Sequence, residues 1–299
     1  MRVSERQRYE TTSGRVEVAK INNGKALETL ATQKTINRLS DDPIGAGQVV
    51  RKKDRIKNIQ QFQKNIEFSK GFLERTEGAL SSMSENLIRA KELAINLSNS
   101  TNDALAREGA SREIKQVCEE MLALGNTSYA GRYVFSGFRS QTPALSADGN
   151  FLGDDGAIYL QMDAKDFRQA NLQSRFLFEA SNEERETGHF NMIDCLKTLQ
   201  EGLSSNSRDM IRRAMEELDH QMQKVTSYQA TLGAIQNGLQ TSSRRLELDQ
   251  ELFTEDLSRI EDADVFKASS DFKRTEATLQ SSLLAANKLL QPSLLNFMQ

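Results

Sequence analysis

Between Ile211 and Ile260 every seventh residue is apolar: Ile211, Leu218, Val225, Leu232, Leu239, Leu246, Phe253 and Ile260. No proline falls inside this stretch. An apolar stripe at this spacing specifies one long helix that buries a narrow seam against other helices. At ~1.5 Å of rise per residue the helix would be on the order of 75 Å long, more than a compact domain needs, so the sequence predicts a rod. The companion seam is less regular. Met215, Met222 and Leu257 are apolar, whereas Gln229, Gln236, Ser243 and Gln250 are not, which points to a bundle member and not to half of a strict two-stranded zipper.

The rest of the composition agrees with solvated helices and narrows the function classes. Only 37% of the 299 residues are hydrophobic and 6% aromatic, without a tryptophan, while 27% are charged and three are proline. A formal charge of -3 gives no reason to expect nucleic acid, and the basic group Arg51, Lys52, Lys53 and Arg55 is interrupted by Asp54. No apolar run approaches the roughly 18 residues of a membrane span, and residues 1–12 are polar, so neither a span nor a cleavable signal peptide is expected. Cys118 and Cys195 are too few for a disulfide framework. With only His189 and His220 beside them, they fit no metal-ligand spacing, and no nucleophile–base pair or phosphate loop is present. No catalytic residue, metal or cofactor is expected.

Along the chain, residues 1–40 carry a weak helical pattern through Val16, Leu27 and Leu30, interrupted by Gly14, Asn22, Asn23 and Gly24. Asp42 followed by Pro43 then marks a helix start, the carboxylate capping orphan amides and the proline filling the first turn. A second stripe runs through Ile59, Ile66, Leu73, Leu80, Leu87 and Ala94. Its companion positions are Phe62, Met83, Ala90 and Leu97, with Ser69 and Thr76 as polar gaps. A third helix follows through Ile114, Val117, Met121 and Leu124.

The period then changes. Gly131-Arg132-Tyr133-Val134-Phe135-Ser136-Gly137 is a β-branched and aromatic run, and Gly153-Asp154-Asp155-Gly156 before Ala157-Ile158-Tyr159-Leu160 predicts a hairpin. Another short strand is expected at 175–178. Two carboxylates in one turn supply too few oxygens for calcium, so Asp154 and Asp155 read as turn residues. Helical spacing returns at Ile193, Leu196 and Leu199 and breaks at 202–206. After the long helix, the acidic cluster Glu261-Asp262-Ala263-Asp264 suits the start of a last helix. That helix carries Val265, Phe272, Leu279, Leu283, Ala286 and Leu290 and is expected to stop before Pro292.

The expected fold is therefore mainly α: an elongated antiparallel helical bundle or coiled-coil rod formed by both chain ends, with a small β-rich insertion in the middle. Residues 1–42 and 263–299 would form a terminal coiled coil, 43–135 and 191–262 the two halves of the rod, and 136–190 the insertion.

Several of these stretches carry a resemblance. Met1-Arg2-Val3-Ser4, Arg38-Leu39-Ser40-Asp41-Asp42-Pro43-Ile44-Gly45-Ala46, Leu87-Ile88-Arg89-Ala90-Lys91-Glu92-Leu93-Ala94, Gly233-Ala234 with Asn237 and Leu239, Ile260-Glu261-Asp262-Ala263-Asp264 and the closing Gln291-Pro292-Ser293-Leu294-Leu295-Asn296-Phe297 resemble, in order, motifs of the bacterial flagellin family. Asn126-Thr127 with the 131–137 run resembles more closely its hook–filament junction branch. The departures are Ala31-Thr32-Gln33-Lys34-Thr35 in the first helix and most of the middle.

The resemblance implies a non-enzymatic, extracellular structural subunit of the flagellum, exported unfolded through the type III machinery. Its implied partners are copies of itself in a ring, hook-associated protein 1, flagellin and an export chaperone. It also implies subunit-interface residues at Leu87, Arg89, Glu92, Leu93, Val16, Leu27 and Leu30. Phe272, Leu279, Leu283 and Leu290 would lie on the helix taken first by the chaperone and then by neighbours. Two alternatives stay open at this stage, a filament subunit and a non-flagellar secreted coiled-coil protein.

Overall fold

The structure is a computed structural model that describes residues 2–98, 104–163 and 166–295. Its elements are α1 (Arg2–Thr32), α2 (Pro43–Ser98), α3 (Ala104–Gly125), β1 (Ser128–Tyr129), β2 (Arg132–Tyr133), β3 (Tyr159–Gln161), β4 (Phe167–Gln169), α4 (Arg175–Phe178), α5 (Asn182–Glu186), α6 (Met192–Ser204), α7 (Arg208–Glu261) and α8 (Val265–Leu295). The fold is mainly α, with long helices from both chain halves and a small insertion holding two antiparallel two-stranded sheets, β1–β2 and β3–β4. Two compact units are present: Met1–Asn58 with Leu248–Gln299, and Ile59–Glu247.

The unit of residues 59–247 is a leucine-lined bundle. Ile59, Ile66, Leu73, Leu80, Leu87 and Ala94 of α2 are all buried, as are Ile211, Leu218, Val225, Leu232, Leu239 and Leu246 of α7. The polar gaps Ser69 and Thr76 are fully buried as well. Each hydroxyl donates to a carbonyl one turn back in its own helix, Ser69 to Asn65 at 2.9 Å and Thr76 to Phe72 at 2.8 Å, so no orphan polar atom results. In α7 the companion seam lies three residues on from the stripe and not four. Ala214, Gln221 and Ser242 are buried there, whereas Met215, Met222, Gln229 and Gln236 are only half-buried. A helix turns 3.6 residues at a time, so either offset keeps close to one face, and the neighbours decide which. Gln221 belongs inside because its amide donates to the Phe190 carbonyl and to Glu217.

The insertion differs from its sequence reading. Residues 175–178 form a helical turn, α4, and not a strand. Leu177 and Phe178 are consecutive and both buried, which a turn allows and a strand, with its alternating faces, does not. The 131–137 run contributes only Arg132 and Tyr133 to a strand, and 153–156 joins no hairpin. The hairpins are β1–β2, turning through Ala130 and Gly131 at positive φ, and the antiparallel pair β3–β4. Asp154 instead ties a loop, its Oδ1 accepting from the amides of Phe138 at 2.7 Å and Gly156 at 3.0 Å. Gly137, with φ of 62°, is what lets Asp154 lie so close. Phe178 is the hub of the insertion's core, edge-on to Phe135 at 5.4 Å and stacked with Phe151 at 6.1 Å.

The chain ends also depart from expectation. Gly14, Asn22, Asn23 and Gly24 do not interrupt α1, which is continuous over 31 residues and pairs with α8. Asn23 contributes to that pairing by accepting from the Thr275 hydroxyl at 3.2 Å. The last helix does not stop before Pro292 but continues to Leu295, since a proline removes one backbone donor without forcing every helix to end.

Candidate assembly surfaces

Helices α1 and α8 have almost no core of their own. Of their described side chains only Ala19 and Ala268 are buried. Tyr9, Val18, Ile21 and Leu27 of α1 and Val265, Phe266, Leu283 and Leu284 of α8 are exposed, Phe266 to 90%. Val16 and Leu30 are half-buried, as are Phe272 and Leu279, so these four lie along the pair's shared margin. Leu27 and Leu283 face solvent. The side chain of Leu290 lies outside the described residues. With so few of its described side chains buried, this pair leaves much of its apolar area exposed.

The loops joining these helices to the rest of their unit are locked by charge. Lys34 and Asp262 form a bridge of backbone pairing, the Thr35 amide donates to the Glu261 carbonyl at 2.7 Å, and the Ala263 amide donates to the Gln33 carbonyl at 2.9 Å. The Glu261 side chain, 6% exposed, accepts from Lys34 at 2.8 Å and Lys53 at 2.7 Å. Burial alone would raise the Glu261 pKa, but the two ammonium groups outweigh it and hold the carboxyl below its ordinary range. Asp42 caps α2 as the sequence suggested, accepting from the Ile44 amide at 3.1 Å, and Asp41 accepts from the Arg38 amide at 2.8 Å. Gly45 leaves room for this cap, because a Cβ would fall 2.4 Å from the Asp42 carboxylate and 2.7 Å from Ile36 and would push those side chains aside.

The expected contact patch on α2 splits in two. Leu87 is fully buried in its own bundle and is unavailable to a neighbour. Arg89 and Glu92 are exposed and pair at 3.6 Å, one turn apart, while Arg89 also meets Glu113 of α3 at 2.7 Å. Leu93 is half-buried beside the exposed Ile88 and Ile95. Sequence reasoning missed these two isoleucines. Their seven-residue spacing was the available signal, one helical face away from the stripe that drew attention.

Among the described residues no three His, Cys, Asp or Glu side chains are grouped to hold a metal, and no helix is long and apolar enough to cross a membrane. Burial pushes the thiols of Cys118 and Cys195 up, away from the thiolate form a nucleophile needs.

Residues 3–140 match the bacterial flagellin N-terminal helical region, and residues 215–298 match the bacterial flagellin C-terminal helical region. The chain belongs to the bacterial flagellin family. It is a flagellar structural protein of the flagellin and hook-associated protein 3 type. A flagellin of Halalkalibacterium halodurans is 26% identical over 263 residues, which are 88% of this chain and 86% of that protein. Flagellar hook-associated protein 3 of Escherichia coli K12 is 25% identical over 277 residues, 86% of this chain and 87% of that one. Among solved structures, a Vibrio parahaemolyticus protein assigned as flagellar hook-associated shares the fold. It matches at a TM-score of 0.68 and 18% identity, over 74% of this chain and 100% of that one.

Proposed function

We propose that this chain is a junction subunit between hook and filament, working outside the cell through helix contacts with copies of itself and with its flagellar neighbours. The observation that carries the reading is the near absence of buried side chains in α1 and α8, where among the described side chains only Ala19 and Ala268 are enclosed. Such helices gain their packing from other subunits. On this reading the chain forms a ring, with hook-associated protein 1 on the hook side and flagellin on the other. Arg89, Glu92, Leu93, Val16, Leu27 and Leu30 would serve these contacts.

Before export the same α8 face, with Phe272, Leu279 and Leu283, would lie in the groove of a chaperone and pass in an unfolded state through the type III channel. No cleavable signal is needed on that route. Similarity to a hook-associated fold supports the junction reading, while the flagellin relative at comparable identity favours a second one, a subunit of the filament itself. Immunogold labelling of isolated flagella separates them. Labelling confined to the hook–filament boundary supports the junction, and labelling along the whole filament supports the alternative.

A further inference from the structure

Another surface says how one copy would hold the next, an inference that rests on the assembly reading above. On the outside of α2 lies an open groove of about 720 Å³ whose floor is Phe68, Gly71 and Tyr129. The floor is a built aromatic surface. Tyr129 lies 5.8 Å from Phe68 and edge-on to Phe72 at 6.4 Å, and its phenol occupies the space a Cβ on Gly71 would need. The Arg132 guanidinium sits over Phe68 at 5.8 Å. Lys64, Lys70 and Arg75 stand on the rim with Glu67 and Glu74, and among the described residues none of the five has an ion-pair partner. With Arg132 the groove carries four cations against two carboxylates.

The complementary shape is on the same chain. Leu248 and Leu252 of α7, one turn apart, are each 61% exposed. Beside them, at the same spacing, run the exposed Glu247, Glu251 and Glu255. Glu251 has no partner among the described residues, Glu247 accepts only from its own helix's Ser243, and Glu255 pairs with Arg259 one turn on. We propose that this acidic leucine ridge of one subunit docks into the aromatic, cationic groove of a second copy of the chain. The leucines would lie on the Phe68–Tyr129 floor and the glutamates against Lys64, Lys70 and Arg75. Groove and ridge are different surfaces of one chain, so the contact is heterologous. It propagates from copy to copy and closes a ring or winds a helix instead of ending at a dimer. A contact this small is weak alone and holds by repetition around the assembly.

The test uses the full-length chain in assembled flagella. Lys70→Cys and Leu252→Cys are combined in one chain, and isolated flagella are treated with a short thiol cross-linker. Lys64→Cys with Leu248→Cys is the second pair should the first fail to export. The expected result is a ladder of dimers and higher multimers of this chain, with no ladder from either single variant. Reversing the rim (Lys64→Glu, Lys70→Glu, Arg75→Glu) or the ridge (Glu247→Lys, Glu251→Lys, Glu255→Lys) should each weaken the ladder by roughly tenfold, and producing the two reversed chains together should restore it. Cross-links to a different flagellar protein, or no product from chains that are present in the flagella, overturn the docking proposal alone. Absence of the unaltered chain from isolated flagella overturns the assembly reading and this contact with it.

Discussion

The leucine bundle of residues 59–247 and the terminal pair α1–α8 are both built from long helices, yet they keep their apolar residues in opposite places. In the bundle each stripe position of α2 and α7 from Ile59 to Ala94 and from Ile211 to Leu246 is buried. Among the described side chains of the terminal pair two alanines are buried, and leucines, valines and aromatics face outwards. Hydrophobic burial stabilises roughly 25 cal/mol per Å², so the first region carries its own stability and the second leaves most of its potential stabilisation unrealised until another molecule covers it. On the proposed reading the difference separates what a subunit needs to fold from what it needs to assemble.

The strongest way to break this comparison is to place the same charge in both regions. Leu80→Asp or Leu239→Asp should destabilise the bundle by more than about 4 kcal/mol, because a carboxylate would be buried with no partner. Leu283→Asp, at a position 45% exposed, should leave the melting midpoint within a degree or two, as surface substitutions do. Circular dichroism melts read both. Equal losses at Leu239 and Leu283 would erase the distinction. Truncation after Asp264 extends it to function. The bundle should stay folded while filaments fail to stay attached and flagellin appears in the medium, and normal filaments from the truncated chain would contradict the proposed role.

Smaller effects sharpen the boundary between the regions. Glu261→Gln keeps the shape but removes the charge that Lys34 and Lys53 share, and should cost about 1 kcal/mol, with partners near 40% exposed limiting the loss. Because the folded-state carboxyl lies below its ordinary range, this contribution is present above that range and disappears as pH falls through the folded value. Lys34 is raised by the same carboxylate, so the pair also weakens as pH rises above the ordinary lysine range. Wild-type and Glu261→Gln melts should therefore converge in acid and in strong base, and a constant gap across pH would contradict the clasp.

In the insertion, burial disfavours a charged Glu184, but the Ser181 amide, His220 and Lys224 outweigh it and hold the carboxyl down at about 2. Helix α5 has no buried residue of its own, so its attachment to α7 depends on such polar ties. That stabilisation is intact above the usual value of 4.5 and fades as pH falls towards 2. Amide exchange in α5 should rise over that interval before exchange in α7 does. Simultaneous loss would show that α5 is held by something else.

The bundle was legible in sequence because its signal is periodic and its partners lie in the same chain. The stripes through Leu80 and Leu239 needed no tertiary knowledge. The misread parts were those where local pattern and packing disagree. Phe178 sits in a β-like run, but consecutive burial of Leu177 and Phe178 required a helical turn. Gln221 lies outside the seams the sequence marked, yet it is buried, with its amide donating to the Phe190 carbonyl. Leu87 carries the spacing of a core residue and also belongs to a recognisable motif; the structure assigns it to the core. The glycines and asparagines of α1 lower helix propensity without breaking a helix that has α8 beside it. The groove on α2 was illegible, since Tyr129 reaches Gly71 from a hairpin that sequence spacing did not place.

On the proposed reading α1 and α8 hold each other only loosely and gain most of their stability from neighbouring subunits. Hydrogen exchange measured on purified monomer and on the protein within isolated flagella tests it directly. Amides of α1 and α8 should exchange rapidly in the monomer and become strongly protected on assembly, while the 59–98 and 208–247 stretches of α2 and α7 are protected in both. Equal protection of all four helices in the free monomer would contradict it.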